Sequence, residues 1–519
     1  MTSTRAPASS DLGRLARGGT LNFVGALAYG VLNFALVVIV TAKLGADGTG
    51  EFLLAIAAFN IVAKMCELGA STGFVRLISH DLELGLGRRI PVLLRVGLVP
   101  VAVVGVVLGA AMGLAAGAIG DIVADGSSAD GVADHLRVLA PFVPIAALYS
   151  VVVQGTRGFG TMRATVTIER IAKPLAQVVL VAAALVLASD DGGVLLDLAW
   201  AGPVAVATIP AAAWFARLAG AAMARSPELA PPSPRAVAAE FWRFSAPRAL
   251  SQLFAVAVLW FDTLLIGALR SAEEAGVYAA STRYLLIGTF TADAVSQVLG
   301  PNVSRLLARG DRSGGEHLYR AATTWQLCLV APVYAVVIVF APALLGVFGE
   351  EFTTATTALV ILSIGIIVSA GLGPADTVVL MAGRSRLSLL NSAVTLMVNL
   401  VGNLLLTPRH GILGAAIAWS ASIVVVAALP AMQLRRAAGI RPFGGGSLVA
   451  LVAAAVGVGL PCVLARALLG PTLAGLALGA VLGMAGGAIA AGLLRERLQL
   501  GELVGAFRSP GSDGALAGS

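Results

Sequence analysis

The stretch FSAPRALSQLFAVAVLWFDTLLIGALR, from Phe244 to Arg270, is apolar enough over most of its length to lie in lipid. It nevertheless carries Arg248 and Asp262. On insertion scales each such charge near the centre of a membrane helix costs roughly 2.5 to 3.5 kcal/mol. Charges are kept at that depth where they face the interior of a helix bundle or a water-filled cavity. The stretch therefore predicts a bundle of membrane helices with a polar interior.

Comparable apolar runs recur along the whole chain. Its 519 residues are 58% hydrophobic and 12% charged, and its mean hydropathy is +0.91; soluble domains are about 25% charged. Hydropathy predicts an all-α integral membrane protein with about fourteen transmembrane helices. The predicted spans are 20–42, 51–71, 91–118, 137–156, 165–188, 194–216, 241–269, 276–300, 318–348, 354–380, 387–407, 411–434, 447–468 and 472–494.

The charges between the spans predict the orientation. Successive loops between the spans lie on alternate sides of the membrane. Most Lys and Arg residues outside the spans fall in the loops of one side, whereas the loops of the other side are acidic, as at Asp121 and Glu350. The positive-inside rule then places both termini in the cytoplasm and the chain in the cell membrane. The net charge of +7 follows from this topology. It favours contact with anionic membrane lipids over binding to nucleic acid.

Two segments of the chain resemble each other. VLNFALVVIVTAKLGADGTGEF begins at Val31, and VLWFDTLLIGALRSAEEAGVY begins at Val258; they match with one gap. Each opens a block of six predicted spans, so the blocks are parallel repeats. We expect two pseudo-symmetric six-helix lobes around a central cavity, plus a C-terminal helix pair. The predicted segments are a cytoplasmic N-terminus (1–19), an N-lobe (20–218), a cytoplasmic linker (219–240), a C-lobe (241–434), the helix pair (447–494) and a cytoplasmic tail (495–519).

The turn LGADGTGEF and the segment FDTLLIGALRSAEEAGVYAAS resemble those of Wzx-type polysaccharide flippases. These belong to the multidrug/oligosaccharidyl-lipid/polysaccharide (MOP) superfamily. The resemblance implies a transporter that flips polyprenyl-(pyro)phosphate-linked oligosaccharide to the outer leaflet by alternating access, for cell-surface polysaccharide biosynthesis. One alternative is a small-molecule or drug antiporter of the multidrug and toxin extrusion (MATE) branch, which usually has fewer helices. Another is a lipid II flippase, whose usual arginines in span one are absent from LNFVGALAYG.

Signatures of catalysis are missing from the sequence. No Gly-Lys dipeptide forms a phosphate-binding loop, no Cys-x-x-Cys occurs, and the four histidines lack metal-ligand spacing. A membrane glycosyltransferase or polymerase, the alternative from the enzyme class, would need a larger outer loop. We expect no enzyme and no cofactor. A proton gradient, a Na⁺ gradient or the membrane potential would drive transport, and a polysaccharide polymerase or glycosyltransferases are expected as associated proteins.

Polar residues inside the opening spans of both repeats predict the substrate site. At 100° per residue Arg248, Gln252 and Asp262 fall within about 40° of one direction on a helix. Cations suit a phosphate, and amides and tyrosine suit sugar hydroxyls. The candidate substrate-binding residues are Lys64, Arg248, Arg283, Asn22, Tyr29, Asn33, Asn60 and Gln252. The candidates for ion coupling are Glu67, Asp262 and Asp293.

Each candidate also has a structural interpretation. Lys64 and Glu67 could form a buried structural pair. Arg248 could extend to the lipid headgroups at the cytoplasmic end of its helix. Asp262 and Asp293 could merely neutralise arginines. The sequence leaves these alternatives open.

Overall fold

The protein is described by a computed structural model. It describes the backbone of residues 9–187, 193–226, 233–441 and 445–498; the side chains of 9–24, of some positions within 251–308 and of 385 lie outside this description. Within the described ranges the chain is α-helical and contains no strand. It divides into two compact units, one of which is Thr20–Ala280, while the other contains Ser281–Ser519.

In the N-terminal unit, Thr20–Ala280, the described residues form ten α-helices and short helical turns. The α-helices are α1 (Ser9–Cys66), α2 (Ala70–Glu83), α3 (Ile90–Leu114), α4 (Ala116–Val123), α5 (Ser127–Leu139), α6 (Phe142–Gly155), α7 (Lys173–Leu187), α8 (Gly193–Ala224), α9 (Pro234–Leu269) and α10 (Ala272–Ser281). A π-helical segment, Thr165–Ala172, leads into α7.

Helix α1 contains the first predicted span, 20–42, and most of the second, 51–71. Its apolar part, Gly25–Cys66, has 42 residues, which at 1.5 Å per residue is about 63 Å, roughly twice the thickness of a hydrocarbon core. The helix is interrupted at Gly45, whose φ of 64° and ψ of −167° are not helical. A glycine reaches this φ at little steric cost. We conclude that α1 is long enough for two crossings that meet near Gly45.

The described part of the C-terminal unit continues with nine α-helices. They are α11 (Leu286–Ala308), α12 (Arg312–Leu345), α13 (Thr356–Leu372), α14 (Ala375–Met381), α15 (Ser385–His410), α16 (Ile412–Ala437), α17 (Gly445–Ala454), α18 (Leu460–Leu469) and α19 (Leu473–Leu493). A π-helical turn, Ala455–Gly459, joins α17 to α18 so that 445–469 forms one long apolar segment. The hydroxyl oxygen of Tyr334, in α12, lies 3.1 and 3.0 Å from the carbonyl oxygens of Tyr284 and Leu285, in the 3₁₀ turn before α11. It also accepts a hydrogen bond from the backbone nitrogen of Gly288.

The protein is a multi-pass membrane protein with the predicted all-α fold. In the described part of the chain, 11 helices are long and apolar enough to cross a membrane, or up to 12 with the bent pair 127–139 and 142–159. The predicted count of fourteen is not confirmed. The structure merges the first two predicted spans into α1, and the eighth, 276–300, falls on α10 and α11, which are not among these helices.

Helix α9, predicted to open the second lobe, packs with α2, α3 and α4 in the N-terminal unit. Its indole Trp260 lies against a core that includes Phe52, Leu196 and Ala279. The predicted division into lobes at the linker 219–240 stays a prediction.

The two repeated turns contact each other directly. A Cβ atom added at Gly50 would stand 2.5 Å from the carbonyl carbon of Ala272. One added at Gly276 would stand 2.5 Å from the carbonyl oxygen of Ala46. Counted back from the aromatic residue that ends each repeat, Gly50 corresponds to Gly276 and Ala46 to Ala272. The contact is therefore reciprocal, as expected for two segments related by a pseudo-two-fold axis.

Candidate functional site

An ion pair stands where α1 ends. The Nζ atom of Lys64 lies 2.9 Å from Oε2 of Glu67, and the two side chains are 19% and 5% exposed. The chain then turns through Leu68 and Gly69, whose φ angles of 51° and 74° are left-handed, before α2 begins at Ala70. Here a buried carboxylate is compensated by an ammonium that remains partly accessible.

Helix α9 packs directly on this turn. A Cβ at Gly69 would stand 2.8 Å from the backbone nitrogen of Ala249, the residue after Arg248. The amide nitrogen of Gln252 lies 3.4 Å from the hydroxyl oxygen of Ser71, to which it donates. Its carbonyl oxygen Oε1 is buried and has no hydrogen-bond partner. We call the group of Lys64, Glu67, Ser71, Arg248 and Gln252 the α1–α9 junction.

Arg248 is the exposed cation of the junction. Among the described residues no carboxylate forms an ion pair with it. Its guanidinium keeps its donors available for an anion, whether a substrate phosphate or a lipid headgroup.

Asp262, predicted on the same face as Arg248, is in a different environment. It is 2% exposed, and its Oδ2 accepts a hydrogen bond of 3.2 Å from the hydroxyl of Tyr278. Tyr278 is itself 1% exposed. The polar stripe predicted on this helix is therefore divided between an exposed cation at one end and a packed carboxylate at the other. A role of Asp262 in ion coupling stays a prediction.

Two of the other predicted residues form hydrogen bonds within α1. Asn33 donates to the carbonyl of Tyr29, and Asn60 donates to the carbonyl of Ile56, so both amides bond within their own helix. Arg283 lies in the 3₁₀ turn Thr282–Leu285 and is half-buried. The side chains of Asn22 and Asp293 lie outside the described residues.

Sequence reasoning missed a buried polar row on α15. Between positions 391 and 407, every fourth residue of α15 is polar and no more than 4% exposed. These residues are Asn391, Thr395, Asn399, Asn403 and Thr407. Asn391 exchanges two amide hydrogen bonds of 3.0 and 2.9 Å with Gln433 of α16. Neither amide atom of Asn399 has a partner. The four-residue period is visible in the sequence, but these side chains are uncharged and a search for intramembrane charges passes over them.

A second cluster missed by the sequence search surrounds Tyr149. Its hydroxyl and the Oε2 atom of Glu169 are both buried without hydrogen-bond partners. The ammonium of Lys173 lies 5.4 Å from the centre of the Tyr149 ring, within the range of a cation–π interaction. Glu169 belongs to the π-helical segment before α7, and such segments are frequent at functional sites.

Comparison with known proteins finds relatives whose names refer to polysaccharide and glycan biosynthesis. A family model described as a polysaccharide biosynthesis protein matches residues 100–357. A probable low-salt glycan biosynthesis flippase, Agl15 of Haloferax volcanii, is 30% identical over 184 residues, which cover 34% of this chain. The matched part spans 37% of the length of that relative.

The solved structures share the fold at low sequence identity. A lipid II flippase, MurJ, in an inward closed conformation has a TM-score of 0.71 at 11% identity, covering 91% of this chain and 98% of its own. An inward-facing multidrug resistance MATE transporter of the MOP superfamily has a TM-score of 0.63 at 15% identity, covering 80% and 97%. The chain thus has the fold of MOP superfamily transporters, and the resemblance to polysaccharide flippases of that superfamily is confirmed.

Proposed function

We propose that this protein flips a polyprenyl-(pyro)phosphate-linked oligosaccharide from the cytoplasmic to the outer leaflet of the cell membrane, for cell-surface polysaccharide biosynthesis. The matches to a polysaccharide biosynthesis family and to a named glycan flippase support this substrate class. The structural observation that carries the proposal is the α1–α9 junction. It combines an ion-paired cation, an exposed cation and neutral hydrogen-bonding groups within an apolar bundle.

Each part of the junction suits one part of such a substrate. Lys64 and Arg248 would hold the phosphate groups, Arg248 through two parallel hydrogen bonds. Gln252 and Ser71 would bond sugar hydroxyls, and the unpartnered Oε1 of Gln252 is a ready acceptor. An arriving phosphate would compete with Glu67 for Lys64. The released carboxylate of Glu67 would then be available to bind a coupling cation such as Na⁺, which offers a way to couple an ion gradient to transport.

The proposed cycle alternates access between the two membrane faces. The reciprocal contact of the repeated turns, on loops that the positive-inside rule assigns to the outside, would close that face. Both termini would lie in the cytoplasm, where the polyprenyl-linked glycan is assembled. Association with a polysaccharide polymerase or glycosyltransferases would supply or remove the glycan, and the protein itself would catalyse no covalent step.

Depletion of the protein tests the proposal. We expect one class of lipid-linked glycan to accumulate in the cytoplasmic leaflet. In spheroplasts, this glycan should resist an enzyme that is added outside and cannot cross the membrane. Re-expression of the wild-type chain should clear it. Unchanged lipid-linked glycans together with increased sensitivity to cationic drugs would instead identify an antiporter. Accumulation restricted to the peptidoglycan precursor would identify a lipid II flippase.

A further inference from the structure

The C-terminal unit contains a cavity separate from the α1–α9 junction. Its volume is about 380 Å³, within the range of small-ligand sites. The residues that matter for its chemistry are Glu316, His317, Arg320, Gly445, Gly446 and Arg497. The remaining lining adds hydroxyl groups from Ser313 and Thr324.

This cavity stands at the ends of three membrane-length helical segments. Two of them begin beside it, Arg312–Leu345 and Gly445–Leu469, and the third, Leu473–Leu493, ends shortly before Arg497. A cavity at the common end of three such segments lies at the level of lipid headgroups. The positive-inside rule assigns this end to the cytoplasmic face, where anionic lipids attract basic residues.

The charge of the lining is positive. The carboxylate of Glu316 is already engaged, with Oε1 2.7 Å from Nη2 of Arg320 and Oε2 3.0 Å from the backbone nitrogen of Arg441. The Nε atom of Arg320 is buried and has no hydrogen-bond partner. Arg497 is exposed, and among the described residues no carboxylate pairs with it. The cavity therefore offers guanidinium donors that the protein does not use.

Backbone donors add to this charge. Gly445 and Gly446 form the first turn of α17, where N–H groups have no partner within the helix and the helix dipole favours an anion. The two glycines add no side chain of their own over this backbone, and the hydroxyl of Thr324 lies beside Gly446. Guanidinium groups and a helix N-terminus together match a phosphate.

We propose that this cavity is a binding site for a phosphate group, distinct from the transport site. The phosphate would be the headgroup of an anionic lipid or a soluble phosphate compound. Exposed apolar side chains continue from the cavity along α17 and α19, with Leu448 67% and Leu493 80% exposed. They offer a surface for the chains of a lipid whose headgroup is bound. The proposal does not depend on the flipping of glycans.

Thermal unfolding of the purified full chain in a neutral detergent tests this site with three probes: dioleoyl phosphatidic acid, dioleoylglycerol and sodium pyrophosphate. We expect phosphatidic acid to raise the unfolding temperature and dioleoylglycerol to leave it unchanged. Arg497→Gln removes an exposed side chain and should fold normally. It should weaken the apparent affinity at least about tenfold, since hydrogen bonds to charged groups are worth about 1.5 to 3 kcal/mol.

Arg436→Gln is the matched control, because Arg436 is an exposed arginine on the same predicted face but outside the cavity. The unfolding temperature of this variant should respond to all three probes as that of the wild type does. Stabilisation by pyrophosphate with the same dependence on Arg497 would point to a soluble ligand, and stabilisation by phosphatidic acid alone to a lipid headgroup. Unchanged affinity in Arg497→Gln, equal weakening in Arg436→Gln or no response to either phosphate probe would overturn the proposal.

Discussion

Gly276 lies directly against the backbone of Gly50, and the two glycines occupy the same position in the two repeats. A Cβ at Gly276 would stand 2.7 Å from the nitrogen and 2.9 Å from the Cα atom of Gly50. Only a residue without a side chain allows two helices to approach this closely. The approach ties α1 to α10 within the N-terminal unit.

The first prediction concerns this contact. Gly276→Ala should lower the free energy of unfolding by about 1 to 3 kcal/mol, because the added methyl group meets backbone that cannot move aside. The matched control is Gly220→Ala, since a Cβ at Gly220 meets nothing within 4 Å. Thermal unfolding in detergent measures both variants. Equal unfolding temperatures for the two variants would show that the turns are not held in this contact.

The second prediction separates the two interpretations of Lys64. Lys64→Met leaves Glu67 buried without its ammonium partner, and loss of one member of a buried pair costs about 3 to 5 kcal/mol. The double variant Lys64→Met/Glu67→Gln should recover most of that stability. If Lys64 also holds the substrate phosphate, glycan flipping stays low in the double variant. Recovery of both stability and glycan flipping in the double variant would show that the pair has only a structural role.

The third prediction concerns the guanidinium of Arg248. Bidentate binding of a phosphate requires its planar fork, so Arg248→Lys should reduce flipping although the charge is kept. Arg248→Ala should abolish flipping at normal expression. Arg243→Lys, on an exposed arginine earlier in α9, is the matched control. Wild-type flipping by Arg248→Lys would indicate a side chain that only reaches the headgroups.

The fourth prediction tests that α1 crosses the membrane twice. Asp47 lies just after the Gly45 interruption and is exposed. Cysteine introduced at Asp47 or at the exposed Asp125 should react with a membrane-impermeant maleimide added to intact cells. Cysteine at Arg88 or Arg384 should react only after the cells are opened. Labelling of position 88 from outside would contradict the predicted topology. The wild-type chain, with Cys66 and Cys462 buried and Cys328 half-buried, gives the background.

The fifth prediction concerns pH. The Asp81 carboxylate is 1% exposed and lies 3.1 Å from Nη1 of Arg89, which also contacts Glu240 at 2.7 Å. Burial raises the pKa of Asp81, and Arg89 opposes the rise. The pKa of this carboxyl is therefore higher in the folded than in the unfolded protein. Its contribution to stability is fully present at a pH below the unfolded pKa and is lost as the pH rises through the folded pKa.

Arg89→Gln should therefore raise the pKa of Asp81 further. The variant should lose about 3 kcal/mol at neutral pH and regain part of it on acidification. The double variant Asp81→Asn/Arg89→Gln removes the titrating carboxyl of Asp81 and keeps the neighbouring His80 and Glu240, as the single variant does. It should lack the recovery, which unfolding curves between neutral and mildly acidic pH would measure.

Hydropathy predicts the membrane fold, and the similarity of the segments at Val31 and Val258 predicts the repeat, because both depend on patterns along the chain. The sequence could not show that α9 packs with the N-terminal unit, since that depends on tertiary contacts such as Gly69 against Ala249. The angular position of Asp262 on an ideal helix predicts that it lies on the polar face with Arg248 and Gln252. Its partner Tyr278 comes from the next helix, which a calculation on α9 alone cannot include.

The contact between the two repeated turns also has a consequence for synthesis of the protein. Gly50 emerges from the ribosome more than two hundred residues before Gly276, which at about 5 to 20 residues per second is a delay of tens of seconds. During that time α1 is in the membrane without α9 and α10. Translation arrest before Ala272 should therefore yield a nascent chain that proteases and chaperones recognise as immature, however many of its spans have been inserted.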